Sequence, residues 1–225
     1  VHIPDGFLDV KTAVTTALVS VAAVGYGIKV ANEKLGERQV PLIGLISAFI
    51  FAAQMLNFPV AGGTSGHFLG ALLAAVLVGP WMACLVMTVV LVIQCIGFAD
   101  GGLTALGANV FNMGVIGGIV SYYVFLGLKS ILPKTKWGFL AAVAVASWLS
   151  VVLAASVCAV ELAISGTSPL NVVLPAMSGI HAVIGVGEAI ITTIVVAIVL
   201  ATRPDLVETY DLGEVTVTSP VGGEK

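Results

Sequence analysis

Charge is what this chain lacks. Asp, Glu, Lys and Arg make up only 9% of its 225 residues, against 59% hydrophobic residues and a mean hydropathy of +1.12. Soluble globular domains are about 25% charged, so that class is excluded and an integral membrane protein remains. The net charge of −3 sits in loops, and no basic cluster is present that could follow a nucleic-acid backbone. Cysteine is scarce as well. Cys84, Cys95 and Cys158 lie inside apolar runs without CxxC spacing and read as buried thiols, not as a redox pair or a zinc site. HExxH is absent, which argues against a zinc metalloprotease, and no Lys follows Gly66, so the glycine-rich stretch before it is no phosphate-binding loop. No basic region or small-residue cleavage site marks the first residues as a secretory signal, so the mature N-terminus is expected at Val1.

What the chain has is glycine and long apolar runs. The 26 glycines, with many alanines, suit closely packed transmembrane helices, whereas a membrane barrel would show short alternating segments. Apolar segments run from about Thr12 to Val30, Pro41 to Phe58, His67 to Gly79, Pro80 to Phe98, Thr104 to Leu128, Trp137 to Ile164 and Ala176 to Ala201. A span needs roughly 20 residues. The expectation is an all-α membrane protein of about seven transmembrane helices, the third of them short.

Lysine and arginine orient it, because cytoplasmic loops are enriched in both. Lys29, Lys34, Arg38, Lys129, Lys134, Lys136, Arg203 and Lys225 fall on one side and only Lys11 on the other. This puts the N-terminus outside and the C-terminus in the cytoplasm. Residues 1–202 form the predicted membrane domain, and 203–225, with Glu208, Asp211 and Glu214, a short cytoplasmic tail.

The outer face then carries the N-terminal arm and three loops rich in Gly, Ser, Thr and Asn: Asn57 to Gly66, Ala99 to Leu103 and Ser165 to Pro175. With a free amine at Val1, that amine, the deprotonated amide of His2 and the His2 imidazole can close two fused chelate rings on one ion. A fourth nitrogen would complete a plane, which suits Ni(II) or Cu(II), and less strongly Co(II). His67 is expected below the outer surface at the buried start of a half-length helix, where the dipole disfavours a protonated imidazole. Ionisable groups at that depth are rare and default to function. His2 and His67 thus converge on the outer side.

Other polar residues carry competing readings. Gly63-Thr64-Ser65-Gly66 is similar to the GxSG of rhomboid proteases, which would pair Ser65 with His181 in an intramembrane serine hydrolase. His181 and Glu188, seven residues apart on one helix face, suit a proton-coupled metal carrier or extra metal ligands. They suit equally a structural hydrogen bond, with Gln54, Gln94, Asn109 or Asn112 as further partners, and that reading is favoured. Gly44, Ala48 and Ala52 recur every four residues, a stripe that lets another helix approach closely, inside this chain or from a partner.

Four blocks carry a family resemblance: His2-Ile-Pro-Asp-Gly-Phe-Leu8, Asn57-Phe-Pro-Val-Ala-Gly-Gly-Thr-Ser-Gly-His67, Asp100-Gly-Gly-Leu-Thr-Ala-Leu-Gly-Ala-Asn-Val-Phe-Asn-Met-Gly114 and His181-Ala-Val-Ile-Gly-Val-Gly-Glu-Ala189. Together they resemble the CbiM/NikM family, the substrate-binding subunits of energy-coupling-factor (ECF) importers for cobalt and nickel. The resemblance reaches to about Ala201. It implies a seven-helix ECF S-component-like fold and a metal site made by the terminal amine of Val1, the amide and imidazole nitrogens of His2, and the His67 imidazole. That family begins on methionine where this chain has Val1; the ligand is the backbone amine, so either residue serves. The resemblance also implies a multi-pass protein of a prokaryotic cell membrane that captures Ni(II) or Co(II) outside and is no enzyme. Its implied partners are a transmembrane coupling subunit, two cytoplasmic ATPase subunits that rotate it within the bilayer, and a small accessory membrane subunit as a further candidate. This chain has no nucleotide-binding sequence, so ATP use falls to the partners.

Overall fold

The computed structural model describes residues 1–34, 36 and 39–210. Arg38 of the first basic loop and Asp211, Glu214 and Lys225 of the tail lie outside the described residues.

Seven helices are present among the described residues: α1 (Val10–Lys34), α2 (Gln39–Gln54), α3 (Ala71–Val78), α4 (Pro80–Phe98), α5 (Leu106–Ile131), α6 (Lys136–Ile164) and α7 (Leu170–Thr202). Five of them, α1 and α4 to α7, are long and apolar enough to cross a bilayer. The 16 residues of α2 reach about 24 Å, short of a core of ~30 Å. Side chains such as Val21, Ile96 and Val183 project outward on the helices, as expected where the surrounding solvent is lipid.

Small residues set how the helices meet. A Cβ on Gly107 of α5 would fall 2.5 Å from the Cα of Ala17 on α1, so only glycine permits that crossing. Ser20 closes the same contact by donating to the Gly107 carbonyl at 2.7 Å. The most extensive pair is α6 with α7, joined where the Trp148 indole donates to the Ala182 carbonyl at 2.9 Å.

The third helix is shorter than the expected run of His67 to Gly79. It has eight residues, all buried, between Gly70 and Gly79, both at positive φ. Residues 67–70 lead into it without helical structure, so His67 does not stand at a helix start as expected. Non-helical backbone at that depth needs internal partners. Glu188 of α7 supplies them, accepting from Leu69 N and Gly70 N at 2.7 Å each. Gln54 donates to the Leu69 carbonyl at 2.7 Å, and Gln94 to Gln54 Oε1 at 3.1 Å.

Three further differences are local. The glycine-rich loop folds into a hairpin, β1 (Phe58–Pro59) against β2 (Ser65–Gly66), turned at Gly62 with positive φ. Residues 111–120 of α5 wind as a π-helix. The last helix starts at Leu170, not Ala176, and carries Pro175 in its second turn, so the preceding loop is shorter than expected. At the opposite end of α3, Thr209 donates to the Val76 carbonyl at 3.0 Å and Glu208 N to the Leu77 carbonyl at 3.3 Å, so the start of the predicted tail packs on the bundle.

Candidate metal site

The N-terminal arm enters the bundle instead of lying on it. Val1, His2 and Ile3 are all buried. Its backbone is fixed by side chains from elsewhere: Ile3 N donates to Asn109 Oδ1 at 2.8 Å, and the Ile3 carbonyl accepts from Asn109 Nδ2 at 3.2 Å and Gly102 N at 2.8 Å. Asp5 then accepts from Thr104 N at 2.7 Å, and Thr167 donates to the Phe7 carbonyl. Room for this path exists because Gly102 lacks a side chain; a Cβ there would meet Asp5 N at 2.3 Å.

The arm delivers Val1 N to His67, with 3.1 Å between the amine nitrogen and Nε2. His67 Nδ1 is 2.7 Å from the Phe68 carbonyl. Since a carbonyl only accepts, the proton sits on Nδ1 and the Nε2 lone pair faces Val1. Ser65 holds the two backbone nitrogens together: its Oγ lies 3.0 Å from Val1 N and 3.1 Å from His2 N, and its carbonyl also accepts from Val1 N. The imidazoles of His2 and His67 meet edge to face with centroids 4.5 Å apart.

His2 is turned differently from its neighbours. Its Nδ1 lies 2.8 Å from Asp100 Oδ1, a close contact without the alignment of a hydrogen bond, and its buried Nε2 has no partner. Asp100 is itself held by Asn57, whose Nδ2 donates to Oδ2 at 2.7 Å. His2, Asp100 and Ser65 line an outer cavity of about 510 Å³.

Burial dominates the electrostatics. It pushes the Val1 amine down to about 5, from an ordinary value near ~8. Burial also lowers His2, partly offset by the Asp100 carboxylate beside it. For Asp100, half-burial works to raise the value, but the His2 contact, the terminal charge and Asn57 together hold it below the usual carboxylate range. Near neutral pH the amine and imidazole are therefore neutral donors beside one ionised carboxylate.

The other candidates have partners of their own, although Ser65 belongs to this centre and His181 lies within electrostatic reach of Val1 and His67. Ser65 Oγ is taken up by the two arm nitrogens instead of facing a general base. His181 is buried, with Nδ1 2.7 Å from the Met177 carbonyl. Glu188 binds neither His181 nor the amides expected as partners, but the backbone before α3. Asn109 anchors the arm and Asn112 donates to Glu161 Oε2 at 2.6 Å. Sequence reasoning missed Glu161, Asp100 as a partner of His2, and Ser65 as a positioning group. Asp100 and Ser65 do lie inside the family-like blocks, which was the available signal. Among the described residues no three His, Cys, Asp or Glu side chains form a metal cage.

Residues 2–206 match CbiM, the cobalt uptake substrate-specific transmembrane region. The chain belongs to the CbiM family. It is 44% identical over 209 residues to a putative fused nickel transport protein NikMN of Archaeoglobus fulgidus, covering 92% of this chain and 68% of that protein. It is 40% identical over 210 residues to a putative metal transport protein of Haloquadratum walsbyi, covering 92% and 94%. The crystal structure of a truncated transition metal transporter is similar at a TM-score of 0.84 and 34% identity, covering 89% of this chain and 99% of that one. As a CbiM family member with five helices long and apolar enough to cross a membrane, the chain is a multi-pass membrane transport protein and not an enzyme.

Proposed function

We propose that this CbiM family member is the ion-capture subunit of an ECF importer for Ni(II) or Co(II), and that it holds the ion in a plane of four nitrogens. These are the Val1 amine, the His2 amide, the His2 imidazole and His67 Nε2. The carrying observation is the 3.1 Å separation of Val1 N from His67 Nε2. Bonds of ~2.0 Å set at right angles would put neighbouring donors about 2.8 Å apart, so these two atoms need to move only a few tenths of an ångström.

Charge supports the same reading. A deprotonated His2 amide offsets half of a dication, and the Asp100 carboxylate beside His2 offsets the rest, so a buried ion is not left uncompensated. Four nitrogens including an amidate favour planar low-spin Ni(II), which makes nickel the leading cargo. The names of the A. fulgidus relative, a nickel transport protein, and of the family, cobalt uptake, fit both ions.

With the N-terminus outside, capture happens on the outer face and transport depends on partners: a transmembrane coupling subunit and two cytoplasmic ATPases. The Gly44, Ala48 and Ala52 stripe is the proposed coupling face. All three residues are exposed on α2, and a Cβ on Gly44 would meet nothing within 4 Å.

Acetylating the Val1 amine, or extending the chain by a few residues before it, tests the site. Loss of Ni(II) binding and of the yellow absorption of planar Ni(II) is expected. Unchanged binding by the acetylated protein would overturn the assignment.

A further inference from the structure

We infer that Asp100 is a latch on His2, and that metal capture is gated by release and rotation of the His2 ring. The inference rests on the four-nitrogen site and adds how that site is regulated.

Only one imidazole nitrogen of His2 can chelate together with its own amide. From the amide nitrogen through Cα, Cβ and Cγ, Nδ1 closes a six-membered ring, whereas Nε2 stands on the far side of the imidazole and cannot reach the same ion. Yet Nδ1 is the atom held 2.8 Å from Asp100, while Nε2 is buried without a partner. Val1 N, His2 N and His67 Nε2 are gathered around Ser65 and one another. Three donors are thus gathered, while the fourth lies against Asp100.

The latch is built from two of the outer loops. Asn57, after α2, donates to Asp100 Oδ2 at 2.7 Å and fixes the carboxylate that follows α4. Next to it, Gly101 at positive φ packs against the arm's anchor: a Cβ there would meet Asn109 Nδ2 at 2.9 Å and make only ordinary contact with His2. The ring also borders the outer cavity of about 510 Å³, which gives it room to turn and gives an ion its approach. Rotation about Cβ–Cγ brings Nδ1 toward the other three nitrogens and moves Nε2 to the Asp100 side, where its N–H can be accepted by the carboxylate. Asp100 therefore holds the ring in the empty state and orients it in the loaded one, as carboxylates do behind metal-bound histidines.

Stopped-flow mixing of the full chain in detergent with Ni(II), read at the planar absorption band, tests this. If ring release gates capture, the observed rate in the wild type levels off at high Ni(II). In Asp100→Asn, which removes the carboxylate charge 2.8 Å from Nδ1, the plateau should rise severalfold. Asn57→Ala, which loosens the carboxylate without touching the site, should give an intermediate plateau, and far-ultraviolet dichroism checks that both variants keep their helices. Nitrogen-15 resonances of His2 give a second reading, with the proton on Nδ1 in the empty protein and on Nε2 in the Ni(II)-loaded one. A rate that stays linear in Ni(II) for the wild type, a plateau unchanged in Asp100→Asn, or a proton on Nε2 in both states would overturn the latch. None of these touches the four-nitrogen site, which fails separately if the acetylated chain still binds.

Discussion

The terminal amine of Val1 stands 3.1 Å from Nε2 of His67, although 66 residues separate them. Burying an amine is costly unless its lone pair or protons find partners. Here the partners are an imidazole lone pair and Ser65, and burial itself drives the amine toward its neutral, donor form. The tip of the chain is anchored by Asn109, Gly102 and Asp5, none of them metal ligands in the proposed site. The protein thus holds three of the four proposed donors in position before an ion arrives, which reduces the ordering that binding must supply.

Replacing His67 with Ala removes one of the four proposed donors. Groups that only support a ligand cost about 10–100-fold in metal affinity when lost, so His67→Ala should weaken Ni(II) binding by more than about a hundredfold in calorimetry. His181→Leu is the contrast. His181 lies near Val1 and His67 but is no proposed donor, and its Nδ1 bonds the Met177 carbonyl, so affinity should stay within a few-fold; equal losses in the two variants would move the site toward α7.

Proton counting separates a docked arm from a loose one. With the amine lowered to about 5 and His2 also lowered, both are neutral donors at pH 7 in the docked arm, and only the His2 amide proton leaves when Ni(II) binds. Calorimetry in buffers of different ionisation enthalpy should give about one proton released at pH 7, rising as the pH falls past about 5. A loose amine, with its pKa near ~8, would raise the count at pH 7 toward two. The linkage has a fixed sign: a depressed amine favours docking fully above its ordinary value, and that contribution is lost between about 8 and 5 as pH drops. Protection of the His2 and Ile3 amides, relative to their intrinsic exchange at each pH, should fall over that range.

How much of this was legible before folding depends on the range of each interaction. The long helices follow from run length and composition, and His2 and His67 stand out because ionisable residues in such a chain are rare. The shortening of α3 to eight residues rests on Gly70 and Gly79 at positive φ, and two of the chain's 26 glycines carry no such label. Glu188 pairs with Leu69 and Gly70, more than a hundred residues away and through backbone N–H groups that every sequence contains. For the same reason periodicity could not reveal Ser65 as a clamp on two arm nitrogens or Asp100 as the partner of His2. The π-wound stretch of α5 keeps an apolar composition like that of its neighbours, so nothing in the residues marked it.

The α2 stripe predicts a variant that uncouples binding from import. Ala48 is exposed on that helix, and a leucine there meets lipid or a partner before it meets this chain. Ala48→Leu should leave Ni(II) affinity unchanged in the purified protein and abolish uptake in cells that express the whole importer. Full uptake would remove α2 as the coupling face.

Glu188 decides between a structural strut and a proton-coupled carrier. Its two oxygens accept from Leu69 N and Gly70 N at 2.7 Å, which holds the lead-in to α3 just after His67. In Glu188→Gln one acceptor becomes an amide donor facing a backbone N–H, leaving a buried donor unpaired at a cost of about 1–3 kcal/mol. Thermal unfolding in detergent should move down accordingly. A carrier that uses Glu188 for protons would respond differently: its uptake would lose dependence on the pH gradient while its unfolding temperature stayed put. A lowered melting temperature, together with import that is no more and no less sensitive to the pH gradient than in the wild type, is the expected result. It would assign the carboxylate to holding His67 in place.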